Sequence, residues 1–429
     1  MMIMDDRDFL KILFDTAVAA ADPAYILDSY IPAPPKGRTI IIGAGKGSAQ
    51  LAAEIETRLE KAGHHHLSGC VVTRYGFGTE CQKIKVMEAA HPVPDAAGLA
   101  ATATLFDSLS DLTADDLVIA LITGGGSALL PAPIAPLTLK DEISLNSALL
   151  ASGAPISVMN GVRKQISAIK GGKLAAAAYP APVLSLIVSD VPGDDPGQVA
   201  SGPTVADNLS RTDAIALAKA YHIQLPDTVA AFLANAPDEI LTPDDPKLAH
   251  ATHHVIASAA QSLEAAAAQA QAQGIKAVIL SDAIEGEARD IGLMHAAMAR
   301  EIVMKNRPFQ KPVLLLSGGE TSVRLSEEGK RAGRGGRNTE FLLSFARAID
   351  GLAGITALAA DTDGIDGSED NAGAFADAQT CTRMREAGQD PAAALAKNDA
   401  FGAFQAAGDL LITGPTGTNV NDFRAILIR

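Results

Sequence analysis

The chain has 429 residues, 48% of them apolar, which suits two or three domains with large cores and is too apolar for a disordered chain. Its 35 Lys and Arg against 50 Asp and Glu give a formal charge of −15, which excludes the basic stripe that sequence-independent nucleic-acid binding needs. Three cysteines without a CxxC spacing exclude a disulfide scaffold and a thiolate zinc site, and point to a reduced, cytoplasmic protein.

Residues 5–21 read as an amphipathic helix. The opening MMIMDDRDFL sets two aspartates ahead of any apolar run, the wrong order for a signal peptide. RTIIIGAG (38–45) is a buried strand entering a turn, followed by a helix over 46–62. Strands follow at 69–74, 84–90 and 117–123, helices at 138–151 and 155–168, and a strand at 182–189. No run reaches ~18 apolar residues, so no membrane span is expected; residues 175–189 come nearest, and Pro180 and Pro182 divide them. The Pro- and Asp-rich stretch 236–246 is the best linker.

The alternation then restarts, with strands at 253–258 and 276–281, a long helix over 286–306, and strands at 311–317 and 321–325. A helix over 338–350, a strand at 355–360 and strands at 409–413 and 422–429 close the chain. Doubly apolar strands alternating with helices imply parallel sheets covered on both faces, hence an α/β fold of two domains, 1–240 and 250–429. In such sheets ligands sit beyond the carboxyl ends of the strands, so the loops there are the candidate site.

Those loops are rich in Gly, Ser and Asp. In GAGKGS (43–48), Gly45 permits a tight turn, and Lys46 adds a charge where a helix N-terminus would offer N–H groups to an anion. In GGGSALL (124–130), Gly125, Gly126 and Ser127 form a candidate anion nest. His91 ends a strand in HPVPD, before two stiffening prolines. MNGVRKQISAIKGGKLA (159–175) carries Asn160 and four clustered cations, Arg163, Lys164, Lys170 and Lys173, suited to focusing a small anion. Asp190 follows the strand at 182–189, with Asp194 and Asp195 in its loop. Asp190 and Asp194 are the candidate Mg²⁺ ligands, since that ion takes one or two carboxylates plus phosphate oxygens. Asp190 alternatively accepts a hydroxyl proton.

In the second half, Gly319 and Glu320 follow a strand, and Arg337 and Asn338 sit in a glycine turn before a helix, suited to bidentate anion binding. DTDGIDGSEDNAGA (361–374) contains Asp363 but fails as an EF-hand at Ile365 and Asp366. A magnesium–phosphate role and plain turns both stay open for it.

Taken in order, these loops resemble one family, the type II glycerate kinases, which join a DUF4147 domain to a MOFRL domain. The carriers are GAGKGS, HPVPDAAG, ITGGGSALL, MNGVRKQISAIKGGKLA, SDVPGDDPGQVASGPT, SGGETSVRL, GRGGRN, DTDGIDGSEDNAGA and TGPTGTNVND, spread over nearly the whole chain. The resemblance implies a larger Rossmann-like αβα domain with a parallel sheet, a smaller α/β MOFRL-type domain, and a site in the cleft between them. It implies transfer of the γ-phosphoryl of ATP, with Mg²⁺, to the C2 hydroxyl of D-glycerate. It places Lys46 and Arg337 as the basic site residues. Thr339 after GGRN, where the family has Gln, and Ser368–Asn371, in place of Pro-Thr-Asp-Ala, are departures that bear on substrate choice. A homodimer is left open.

The first rival is an NAD(P)H-dependent hydroxypyruvate reductase, a name some relatives carry. Ser48 breaks the glycine fingerprint, and Arg74 stands where a ribose-binding acid belongs, though an arginine there suits NADP. His91 with Asp95 is that reading's only acid–base pair. The second rival is a non-enzymatic sensor on the same fold.

Overall fold

The computed structural model describes residues 5–237, 240–326 and 333–429. The chain divides into two compact units, Pro23–Ile256 and, discontinuously, the residues up to Asp22 with Ala257–Arg429. No helix among the described residues is long and apolar enough to cross a membrane.

The Pro23–Ile256 unit is built on six strands: β1 (Thr39–Ala44), β2 (Leu67–Arg74), β3 (Ile84–Ala89), β4 (Leu117–Ile122), β5 (Val183–Val188) and β6 (Ala251–Ala257). Their order is β3-β2-β1-β4-β5-β6, and the pairings from β3 through β5 are parallel. Every residue of β1 is buried. Ile40, Ile42, Val118, Ala120 and Ile122 share one core cluster, and each buried Ile or Val contributes about 1.5–3 kcal/mol. β2 and β3 lie on one side of β1, and β4 and β5 on the other, so β1 and β4 flank the switch point of the sheet. Ala44 pairs with Ile122, so the two strands end level and their glycine loops emerge side by side.

The other unit holds β7 (Lys276–Ser281), β8 (Gly286–Glu287), β9 (Val313–Gly319), β10 (Thr321–Ser322), β11 (Ile355–Asp361), β12 (Gly373–Asp377), β13 (Leu410–Leu411) and β14 (Asp422–Ile428). Its main sheet runs β13-β12-β11-β14-β9-β7, and β8 pairs separately with β10. Here the expectation of a parallel sheet fails beyond one pair. β7 and β9 are parallel, but β14 enters between β9 and β11 antiparallel to both, and β12 and β13 continue antiparallel. Unbroken apolar runs report burial on both faces, as β9 and β14 show, and burial does not fix direction. The strand expected over 321–325 is only the two residues of β10, and β12 begins at the end of the 361–374 stretch read as loop and runs on into residues given no element from sequence.

The helix Asp6–Ala19 packs Phe9, Leu10, Leu13, Phe14 and Ala17 against Leu314, Leu316, Leu358 and Phe423 of this second sheet. The Phe14 and Phe423 rings meet edge to face at 5.8 Å, and Arg7 pairs with Asp377 at 2.5 Å and Asp409 at 2.8 Å. Where the sequence reading sets 1–240 apart as one domain, the contacts place this first helix with 257–429.

Candidate functional site

The loops leaving β1, β4 and β5 come together at the switch point. Gly45 has φ 137°, and a Cβ there would stand 2.0 Å from Thr123 Oγ1. The turn's N–H groups are held by the β4 loop and by the turn itself: Lys46 N–H donates to Gly124 O (2.8 Å), Gly47 N–H to the Thr123 side-chain Oγ1 (3.1 Å) and Ser48 N–H to Gly45 O (3.2 Å). The helix starts only at Ser48, so these three N–H groups are engaged and the turn's free electrostatic asset is the half-buried Lys46 side chain. Lys46 makes no ion pair among the described residues, so its ammonium is available to an anion.

Two glycines of the β4 loop are the floor on which side chains converge. A Cβ on Gly124 would lie 1.9 Å from Asp190 Oδ2, and one on Gly125 would lie 3.0 Å from His91 Nε2 and 3.1 Å from Lys46 Cγ. Asp190, His91 and Lys46, singled out from three separate stretches of sequence, therefore surround two adjacent residues. Burial, with Lys46 and Arg74 nearby, pushes the His91 imidazole down to about 4, so it is neutral at pH 7. Gly124→Ala is expected to displace the Asp190 carboxylate and lower kcat about 100-fold, the scale of a 1 Å misplacement, with the melting temperature close to wild type. Steady-state kinetics beside a thermal melt checks this; unchanged kcat would remove Asp190 from the site.

Beneath this floor runs a polar chain. Ser201 Oγ donates to Asn160 Oδ1 (2.9 Å), which leaves Ser127 Oγ to donate to Ser201 Oγ (2.6 Å). Asn160 Nδ2 donates to Gln198 O (3.1 Å), and Arg163 donates from Nη1 to Asn160 Oδ1 (2.9 Å) and from Nε to Asn146 Oδ1 (2.8 Å). Arg163 has no carboxylate at ion-pair distance among the described residues, and burial lowers its proton affinity. A desolvated guanidinium bonded only to amide oxygens is suited to receive an anion. Ala200, Ser201 and Gly202 hold successive φ values of 52°, 61° and 60°. A left-handed non-glycine residue costs on the order of 1–3 kcal/mol, and such strain clusters at functional sites. A Cβ on Gly126 would meet Ala200 Cβ at 2.6 Å, so the strained turn and the glycine loop are fitted to each other. Ser201 was not singled out from sequence; only the glycine and proline after it marked the turn.

The cation cluster at 163–173 does not act as one surface. Lys164 is buried and paired with Asp207 at 2.5 Å. Lys170 is buried against Glu142 (3.0 Å) and Leu130 O (3.0 Å), and Lys173 donates to Lys164 O and Ser167 O. Three of the four cations tie loops together, and Arg163 alone keeps an anion-binding character.

The second constellation is centred on Arg337, the first residue of the helix Arg337–Ala348. Its Nε donates to Asp422 Oδ1 (2.6 Å), Nη2 to Asp361 Oδ2 (2.6 Å) and Nη1 to Glu320 Oε1 (2.8 Å). These carboxylates hold the guanidinium firmly charged despite its burial. Gly319, at φ 117°, ends β9 and brings Glu320 into range, and a Cβ there would stand 2.2 Å from Ile284 N. Asn338 is fully buried; its Nδ2 donates to Asp422 Oδ1 (2.8 Å). Asp366 caps the helix, accepting from Asn338 N–H (2.9 Å), Thr339 N–H (2.8 Å) and Thr339 Oγ1 (2.7 Å). Thr339, the departure after GGRN, thus closes its own helix N-terminus. Asp363 accepts from Ile365 N–H (2.9 Å), and its carbonyl from Thr416 N–H (3.1 Å), which is turn chemistry. Asp361 opens DTDGIDGSEDNAGA and Asp422 ends TGPTGTNVND, but neither was singled out from sequence as a site residue; the available signal was Asp422 and Arg424, two opposite charges two apart on an otherwise apolar strand.

No group of three or more His, Cys, Asp or Glu suited to a metal ion occurs among the described residues. Mg²⁺ does not need one, because one or two carboxylates and substrate phosphates suffice. Asp190, seated where a Gly124 side chain would otherwise stand, fits that requirement. Asp194 lies further along the same loop, left-handed at φ 53°. The acid–base pair that a reductase would need is not formed. Asp95 caps the helix Ala96–Ser108 by accepting from Gly98 N–H (2.9 Å), and it takes the Tyr75 hydroxyl at 2.7 Å. Arg74 stacks on Phe77 at 3.5 Å.

Residues 9–234 match the family described as a domain of unknown function, DUF4147, and residues 313–422 match the MOFRL family. The chain is 49% identical to an Agrobacterium vitis protein provisionally named a hydroxypyruvate reductase, over 98% of this chain and 94% of that one. It is 38% identical to the glycerate 2-kinase of Pyrococcus horikoshii, over 98% of this chain and 97% of the relative. The crystal structure of glycerate kinase from Thermotoga maritima superposes with a TM-score of 0.87 at 34% identity and covers 99% of each chain.

Proposed function

The chain belongs to the glycerate kinase family that joins a DUF4147 domain to a MOFRL domain, and we propose that it transfers the γ-phosphoryl of ATP to the C2 hydroxyl of D-glycerate, releasing ADP and 2-phospho-D-glycerate. The observation that carries this reading is the convergence of Lys46, His91 and Asp190 on Gly124 and Gly125 at the switch point of a parallel sheet.

Phosphoryl transfer asks the protein for positioning and charge neutralisation more than for covalent chemistry. Lys46 supplies a cation for the transferring phosphoryl. Neutral His91 adds a hydrogen bond there without adding charge. Asp190 has one of two roles: it accepts the proton of the C2 hydroxyl, or it would hold Mg²⁺ together with substrate phosphate oxygens. When bound, that ion neutralises phosphate charge. Arg163, backed by Asn160 and Ser201, takes an anionic end of substrate. In the other unit, Arg337 offers an anion-binding cation of its own by exchanging the exposed Glu320 for an incoming anion.

The test is turnover by purified protein with ATP, Mg²⁺ and D-glycerate, read as ADP formation, beside hydroxypyruvate with NADH or NADPH and no ATP. Glycerate-dependent ADP release with no nicotinamide oxidation is the expected result. Oxidation of NAD(P)H by hydroxypyruvate, without glycerate-dependent ADP, would overturn the kinase reading.

A further inference from the structure

Asp422 is shared by two arginines. Its Oδ1 accepts from Arg337 Nε and Asn338 Nδ2, and its Oδ2 accepts from Arg424 Nη2, Thr321 N–H (3.2 Å) and Thr321 Oγ1 (3.3 Å). Arg424 has no exposed surface; its Nη1 donates to Gly318 O (3.1 Å), and its guanidinium lies over the Phe341 ring at 5.1 Å. The carboxylates around Arg337 are graded in exposure: side-chain values are 0% for Asp422, 7% for Asp361 and 54% for Glu320. Glu320 can move into water, whereas Asp422, with donors on both oxygens, cannot.

We propose that Arg424 is a positioning residue: it pins Asp422 as a permanent anchor for Arg337 Nε, so that an incoming phosphate or carboxylate displaces Glu320 from Nη1 while the guanidinium keeps its place. This rests on the proposed engagement of Arg337 with an anion. The charges are consistent with it. Around Arg424 the buried carboxyl groups are Asp422, Asp361 and Asp366, whereas the exposed Glu320 charge is the one an anionic substrate can replace. Burial alone would raise the Asp422 carboxyl; Arg424 first, and Arg337 second, outweigh it and hold it below its ordinary value.

The test compares Arg424→Met with the apolar pair Asp422→Leu/Arg424→Met, using kcat, a kcat–pH profile and thermal melts. Arg424→Met is expected to lower kcat at least about 10-fold, the scale of losing an outer positioning contact. Its activity should also fail at a higher pH than wild type on acidification, because the Asp422 carboxyl, stripped of Arg424, takes up a proton and releases Nε. The double variant removes both buried charges, so it should recover the melting temperature yet keep the low kcat. If Arg424→Met does not fold, the double variant alone carries the test. Recovery of both melting temperature and kcat in the double variant would reduce Arg424 to a counter-ion and overturn the proposal. Arg337→Ala is the control: wild-type turnover there would remove the parent reading, independently of Arg424.

Discussion

Lys46→Ala is expected to lower kcat/KM at least about 100-fold, the cost of removing one charge-stabilising group from a transition state. The fold should survive, because the structural bonds at this position belong to the backbone. Lys46 N–H reaches Gly124 O, and Lys46 O accepts from Thr73 Oγ1 at 3.1 Å; alanine keeps both. The lost ammonium leaves no carboxylate stranded among the described residues, so no buried charge is exposed to penalise stability. The loss should fall mainly on kcat, since negative charge on the transferring group shifts most in the transition state. Steady-state kinetics with a thermal melt separates the two effects. Near-normal turnover in a folded variant would remove Lys46 from the mechanism.

Arg337→Ala should be costly in a different way, losing both activity and stability. It strands Asp361 in the interior, while Asp422 keeps Arg424, and removing one member of a buried pair costs about 3–5 kcal/mol. The loss should depend on pH. Burial already pushes the Asp361 carboxyl well above its usual range, with Arg337 as the main opposing influence. Without Arg337 it rises further, so the folded state binds more protons than the unfolded state between the ordinary carboxylate value and the raised one. Stability therefore falls as pH rises through that window. Melting temperatures between pH 5 and 8 should decline more steeply for Arg337→Ala than for wild type. Parallel curves would mean that Asp361 is not the group Arg337 restrains.

Much of the first constellation is legible in the sequence because its demands are local. A buried strand ending in Gly-Ala-Gly, or in three glycines, announces a turn that a side chain would block, and Gly124 and Gly125 are blocked by the residues expected to act there. Asp190 follows its strand by the same logic. What the sequence hides is partnership across distance. Lys164 and Lys170 read as a positive surface because Asp207 and Glu142 lie 43 and 28 residues away. The apolar spacing of Phe9, Leu10, Leu13 and Phe14 predicts a helix with a buried face but does not say which sheet it covers. Asp361 and Asp422 stand opposite each other only because β11 and β14 pair antiparallel, against the expected parallel sheet. The cage around Arg337 depends on that register, so Arg337 and Glu320 could be picked out from their glycine turns while the pairing of Asp361 with Asp422 around Arg337 could not.

Phosphorylation at C2 and at C3 of glycerate give different products, and the identity of the product distinguishes them. With ATP, Mg²⁺ and D-glycerate as substrates, enolase is added without phosphoglycerate mutase. Transfer to C2 gives immediate phosphoenolpyruvate formation at the rate of ADP release, because 2-phosphoglycerate is the enolase substrate. ADP release with no phosphoenolpyruvate until mutase is added would show transfer to C3 and contradict the proposed C2 transfer.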